Sequence, residues 1–259
     1  MIHKTKTVAS YFFIIGISLS IHNLQAESLT FESGKEKTSL LELYTSEGCS
    51  SCPPADRWLS ALVDDNKLWQ EFIPLAFHVD YWDYIGWKDR FASPSYSKRQ
   101  RRYAQEQSLR TVYTPGFILN GKKWRKRSVK QLNANNIQKN PGLLKLEVTG
   151  NTVSVDFKPD ERIGDKLKIN LALLGFKLKT SVTAGENSGR TLPHNFVVLE
   201  LKHSRLELNK YSYQARLKIP ESEIYAAQYG LVAWVSGVDK QRPIQATGGW
   251  LPRQFVTGS

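Results

Sequence analysis

The chain has 259 residues, 36 Lys+Arg against 24 Asp+Glu, a formal charge of +12 and 41% hydrophobic residues, enough for ordinary globular cores. Such a basic balance would point to nucleic acid in a cytosolic protein, but the first 26 residues set that partner class aside. Lys4 and Lys6 precede an uncharged apolar segment from Val8 to Ile21, and a polar stretch then ends at the small residue Ala26. This is the pattern of a secretory signal peptide cleaved after Ala26, and it places the chain in the periplasm or outside the cell. The apolar core is too short for a membrane span, so no stable membrane insertion is expected after cleavage. Losing two lysines lowers the charge to about +10, which suits screened contacts with anionic envelope polymers, lipid head groups or acidic proteins.

In the exported part, Leu40, Leu41, Leu43 and Tyr44 form a near-continuous apolar strand interrupted by Glu42. It delivers Cys49-Ser50-Ser51-Cys52, which holds both cysteines of the chain. Ala55, Trp58, Leu59, Leu62 and Val63 then recur at helical spacing. Because each proline disfavours α conformation in the residue before it, Pro53 and Pro54 predict a helix starting near Pro54, with Cys52 outside it. A C-x-x-C between a strand and a helix is the context of a redox pair. A second strand is predicted from Phe72 to Val79, followed by an aromatic, acid-spiked loop from Asp80 to Asp89. Ser93 or Ser95 caps a helix to about Leu109, whose Lys98, Arg99, Arg101 and Arg102 read as a basic face. Thr114-Pro115 precedes a strand, Asn120-Gly121 signals a hairpin, and a helix from 128 to 139 stops at Asn140-Pro141-Gly142. The basic run Lys122-Lys123-Trp124-Arg125-Lys126-Arg127 at the hairpin reads as a solvated face.

From Leu143 the pattern changes to strict alternation. Leu144, Leu146 and Val148, a turn at Gly150-Asn151, then Val153, Val155 and Phe157 make a β-hairpin. Further strands are expected over 167–174, 176–182, 196–201, 211–219 and 231–235, at the spacing of a β-sandwich. The glycine-rich loop from Gly185 to Asn195 reads first as a connector of two strands and second as a segment that closes over the dithiol site.

The order strand, C-x-x-C, helix, strand, helix, Thr-Pro, strand, hairpin, helix resembles the thioredoxin superfamily. Residues 42–56, 78–94 and 185–192 together are similar to a family of exported bacterial proteins of unknown function with a thioredoxin-like N-terminal part. The resemblance implies an α/β fold: a thioredoxin-like domain over 27–142, followed by a β-sandwich-like domain over 143–259. It implies Cys49 as the nucleophilic thiolate, Cys52 as the resolving thiol, and Pro115 as a cis-proline exposing the backbone of Thr114 to a substrate peptide. It also offers Glu42 as a buried acid beneath the dithiol, although its spacing requires a bulge to turn the side chain that way.

The activity implied is thiol–disulfide exchange on an exported protein substrate, with a separate redox partner protein and no cofactor. Since Ser50-Ser51 brings no charge and the two prolines remove amide donors, only a modest lowering of the Cys49 pKa is expected. An inert disulfide is the rival reading, but closing a four-residue loop contributes only about 2 kcal/mol. A second rival is a non-catalytic binding module or copper carrier, with His78 and Asp80 joining Cys49 and Cys52 around a soft metal.

Overall fold

The computed structural model describes residues 27–125, 128, 130, 132, 140–161, 163 and 166–256. The predicted signal peptide, most of the predicted helix over 128–139, and Lys126 and Arg127 lie outside the described residues.

The α/β architecture expected from the motif order, a thioredoxin-like domain followed by a separate β-sandwich-like one, is not what the chain adopts. The molecule is mainly β, and both halves build one sheet of eight strands. The first half supplies β2 (Ser39–Thr45), β3 (Phe72–His78), β4 (Gly116–Leu119) and β5 (Lys122–Lys123). The second half supplies β8 (Leu167–Phe176), β11 (Val197–Arg205), β14 (Gln228–Gly237) and β15 (Pro243–Leu251). Their spatial order is β15-β14-β8-β11-β3-β2-β4-β5. The join is between β3 and β11, which run parallel with Val197 opposite Ala76, and the Ala76 N–H donates to the Phe196 carbonyl at 2.8 Å. A strand edge left open by β3 would expose unpaired amides, and β11 closes it.

A second sheet, β1-β6-β7-β13-β12, uses β1 (Ser28–Glu32), β6 (Leu143–Thr149), β7 (Thr152–Lys158), β12 (Glu207–Asn209) and β13 (Ser212–Lys218). Strand β1 pairs with β6 along its whole length, so the start of the described chain belongs to the sheet of the second half. All ten residues of β8 are buried, which its two faces explain. Ile169, Leu171 and Leu173 pack with Leu144, Leu146 and Val155 of the five-stranded sheet. Ala172, Leu174 and Phe176 share the other core with Leu40, Leu43, Phe77 and Trp234.

Among the described residues, α1 (Pro53–Ser60) and α2 (Pro94–Glu106) attend this second core. Ser93 caps α2, its side chain accepting from the Ser95 N–H at 3.3 Å. The basic residues of α2 do not share one solvated face. Arg99 follows the buried stripe of Tyr96, Gln100 and Tyr103 and is only 7% exposed, whereas Arg101 and Arg102 are exposed. Asn120 and Gly121 both take positive φ, 50° and 80°, and turn the chain from β4 into β5.

Candidate functional site: the dithiol and what surrounds it

Strand β2 is buried along its length and ends at Thr45, so the chain emerges at a fixed place at the end of the sheet. A turn follows, in which the Cys49 N–H donates to the Ser46 carbonyl at 3.2 Å and the Gly48 N–H to the Ser46 hydroxyl at 3.1 Å. Helix α1 then begins at Pro53, one residue earlier than the prolines suggest, and Cys52 is already helical at φ −76°, ψ −40°. The conformation that Pro53 disfavours is held by the Cys52 carbonyl, which accepts from Ala55 and Asp56 at 2.8 and 3.1 Å. The Cys52 N–H donates back to Cys49 O at 3.1 Å, closing the motif into one turn.

Both cysteines are free thiols and both are buried, Cys49 at 1% and Cys52 at 0% exposure. The Cys49 pKa is lowered to about 6, first by its hydrogen bond with Cys52, with the Ser51 hydroxyl 3.2 Å from its Sγ contributing as well. This is more than the expected modest effect. The serine between the cysteines acts through its hydroxyl, a contribution that counting charges in the motif does not register. The Cys52 pKa moves the opposite way, pushed up first by burial and then by the hydrogen bond to Cys49 and the nearby Asp56. One sulfur is therefore set to ionise and the other to keep its proton.

Thr114-Pro115 is a cis peptide, and the Thr114 carbonyl faces the Cys49 Sγ at 3.9 Å. Trp82 Nε1 donates to the Thr114 hydroxyl at 2.7 Å, fixing this segment against the loop that follows β3. Thr114, Pro115 and the two cysteines thus meet around one sulfur. Glu42 stands apart from the thiols: its carboxylate accepts from Arg99 Nε and Nη2 at 2.8 and 2.9 Å, from Tyr44 at 2.8 Å and from Tyr103 at 2.6 Å. Its partners make it the anchor of α2. His78 is likewise engaged elsewhere, with its Nδ1 2.6 Å from Asp89 Oδ2. Among the described residues no group of three or more His, Cys, Asp or Glu side chains is placed to hold a metal ion.

Several further residues at the site are not among those singled out from the sequence. Asp56 lies four residues after Cys52 on the same helix, 7% exposed, and accepts from the Thr45 hydroxyl at 3.0 Å. Burial is the first reason its carboxyl is pushed up. His194 ends β10 (Thr191–His194), which pairs with β9 (Leu178–Ser181), and its Nε2 lies 3.2 Å from Glu47. The rings of His78 and His194 meet edge to face at 5.1 Å. The loop from Gly185 that sequence alone reads first as a connector is also a strap over the motif. Asn187 Nδ2 donates to the carbonyls of Glu47 and Cys49 at 2.8 and 3.0 Å, and the Ser50 N–H donates to Glu186 at 2.9 Å.

Because Cys49 is covered, reaction with a large substrate requires local opening around the motif. Asn187→Ala removes two buried hydrogen bonds at about 1 kcal/mol each, so Cys49 labelling by a maleimide in the native protein is expected to rise roughly 30-fold. Unchanged labelling would mean that the strap does not control access.

A family model described as a protein of unknown function, DUF1223, matches residues 40–236 of this chain. No curated protein matches it in sequence. Among solved structures, it is similar to an X-ray crystal structure of a protein from Agrobacterium tumefaciens, at 21% identity and a TM-score of 0.60, covering 83% of this chain and 94% of that one. It is also similar to HBP35 of Porphyromonas gingivalis, at 17% identity and a TM-score of 0.62, covering 88% of this chain and 79% of that one. At these identities the likeness is one of fold.

Proposed function

The chain belongs to the DUF1223 family of proteins of unknown function, and from its site we propose that it exchanges thiols and disulfides through Cys49 and Cys52. The observation that carries this reading is the opposed setting of the two thiols, with Cys49 lowered to about 6 and Cys52 pushed up. At neutral pH Cys49 is then largely thiolate, the form that attacks a disulfide sulfur.

The Cys49 thiolate attacks one sulfur of a substrate disulfide, forming a mixed disulfide and releasing the other substrate sulfur as a thiolate. Cys52 gives up its proton and attacks the Cys49 sulfur, forming the Cys49–Cys52 bond and releasing the second substrate thiolate. Two electrons pass from the dithiol to the substrate. In the reverse direction the protein oxidises a substrate dithiol. The substrate is proposed to be an exported protein, from the leader-like first 26 residues, and a redox partner protein resets the pair. The copper-carrier reading is not the one proposed, since among the described residues no group of three or more His, Cys, Asp or Glu side chains is placed to hold a metal ion.

Cys52→Ser leaves Cys49 able to attack but removes the resolving sulfur. It is expected to accumulate mixed disulfides with exported proteins, visible as reducible adducts that vanish when Cys49→Ser is added. If Cys52→Ser forms no more adducts than the double variant, the exchange reading is wrong.

A further inference from the structure

The strap over Cys49 ends at Arg190, and Arg190 belongs to its fastening. The Arg190 Nη1 donates to Asn187 Oδ1 at 2.7 Å, while Asn187 Nδ2 holds the carbonyls of Glu47 and Cys49. A guanidinium carries five N–H donors, and this bond uses one of them. Arg190 also lines a cavity of about 90 Å³ between α1 and β10, which it shares with Arg57 of α1. Both arginines are exposed, so the cavity meets solvent, whereas its inner side is buried, with His194 at 3% and Asp56 at 7% exposure.

Two cations from separate elements that share one small space repel each other unless a negative group stands between them. The acid already in the cavity is not placed to do this. Asp56 accepts from the Thr45 hydroxyl at 3.0 Å, and among the described residues no ion pair joins it to either arginine. The Arg57 guanidinium likewise has no hydrogen-bond or ion-pair partner among the described residues.

Size narrows what can fill the gap. At roughly 30 Å³ of liquid volume per water, the cavity holds about three waters. That is room for one small oxyanion and far short of the ~300 Å³ at which cofactor and drug-sized sites begin. A tetrahedral oxyanion presents several acceptor oxygens, so two guanidinium forks can grip it at once.

We propose that Arg57 and Arg190 form a binding site for a phosphate-like oxyanion, and that the bound anion latches the strap over Cys49. The anion ties α1, which begins at the dithiol, to the residue that orients Asn187. It meets both arginines while the strap lies on the motif and loses one of them when the strap lifts. It therefore binds the closed form, and by linkage it cuts the open population by the factor 1 + [L]/Kd. The site does not rest on the exchange reading, because it governs whether Cys49 can be reached and not what Cys49 does.

The test is maleimide labelling of Cys49 in the full reduced protein, with inorganic phosphate as the anion and its Kd taken from the phosphorus-31 resonance. With phosphate tenfold above Kd, labelling is expected to slow about tenfold. Chloride at the same ionic strength is expected to change it less than twofold, since screening alone does not bridge the arginines. Arg57→Gln leaves every hydrogen bond of the strap in place. It is expected to label within threefold of wild type without phosphate, and to lose the protection that phosphate gives. Phosphatidylglycerol vesicles at the same phosphate concentration separate the sources: protection by vesicles makes the anion a lipid head group, protection by free phosphate alone makes it a soluble oxyanion, and both support the site. An absence of phosphate binding overturns the site, and equal protection in Arg57→Gln or by chloride overturns the part given to the arginines. Binding without protection overturns the latch. Protection by phosphate in a protein whose Cys52→Ser variant traps no partner would overturn the exchange reading and leave the latch standing.

Discussion

Arg99→Ala is expected to lower the folding free energy by about 3–5 kcal/mol, read from denaturant midpoints at constant slope. Arg99 lies inside the molecule and holds both oxygens of Glu42, with Gln241 Oε1 at 3.3 Å and the Tyr103 hydroxyl at 3.2 Å completing its donors. The guanidinium also lies over the rings of Trp234 at 5.1 Å and Phe77 at 5.4 Å. Removing it strands a carboxylate that is 1% exposed in the middle of the sheet. The cost is chiefly that of the abandoned charge, because a buried pair repays its desolvation only while both members remain. The double variant Arg99→Met with Glu42→Gln is therefore expected to recover most of the loss. If it is as unstable as Arg99→Ala, the ring contacts of Arg99 dominate and the ion pair matters little.

Arg99 also shows where the sequence is opaque. Next to Lys98, Arg101 and Arg102 it reads as one more solvated cation, and only its phase with Tyr96, Gln100 and Tyr103 marks it as buried. Glu42 invited a catalytic reading because an acid in an apolar strand asks for a reason, and its reason lies fifty-seven positions away in Arg99. Local signals were legible: the alternation in β6 and β7, the Asn120-Gly121 turn, the Ser93 cap, and the cysteines between a strand and a helix. What was not legible is pairing at long range. Nothing in Val197-Val198-Leu199 says that this strand enters beside β3, and this single pairing turns two expected domains into one sheet. The closure of the Gly185 loop over the dithiol is legible as its second reading, but the residue that fastens it is not, since Asn187 reaches Cys49 across 138 positions. Asp56 was within reach, because four residues after Cys52 on a helix puts a carboxyl under the resolving thiol.

The His78–Asp89 pair is expected to give the protein a stability optimum in mild acid that Asp89→Asn abolishes. Burial alone would strip His78 of its proton, yet the adjacent Asp89 charge and hydrogen bond raise its pKa above the usual histidine value. Burial alone would likewise protonate Asp89, yet His78, with the N–H groups of Glu47 and Phe91, holds its carboxyl below the usual range. The signs then follow. A raised histidine contributes stability that is complete below its unfolded value of about 6.5 and is lost as pH rises through the folded value. A lowered aspartate contributes stability that is complete above its unfolded value of about 3.9 and is lost as pH falls through the folded value. Both contributions are whole between about pH 4 and 6.5, and the pair weakens on either side. At pH 6, Asp89→Asn leaves a buried imidazolium without its counter-charge, so a loss of about 3–5 kcal/mol is expected there. The difference from wild type should shrink toward alkaline pH, where His78 is neutral in both proteins. A difference that stays constant from pH 5 to 9 would mean that Asp89 acts only as an acceptor for the Glu47 and Phe91 amides, bracing the turn that carries Cys49 without an ion pair beneath it.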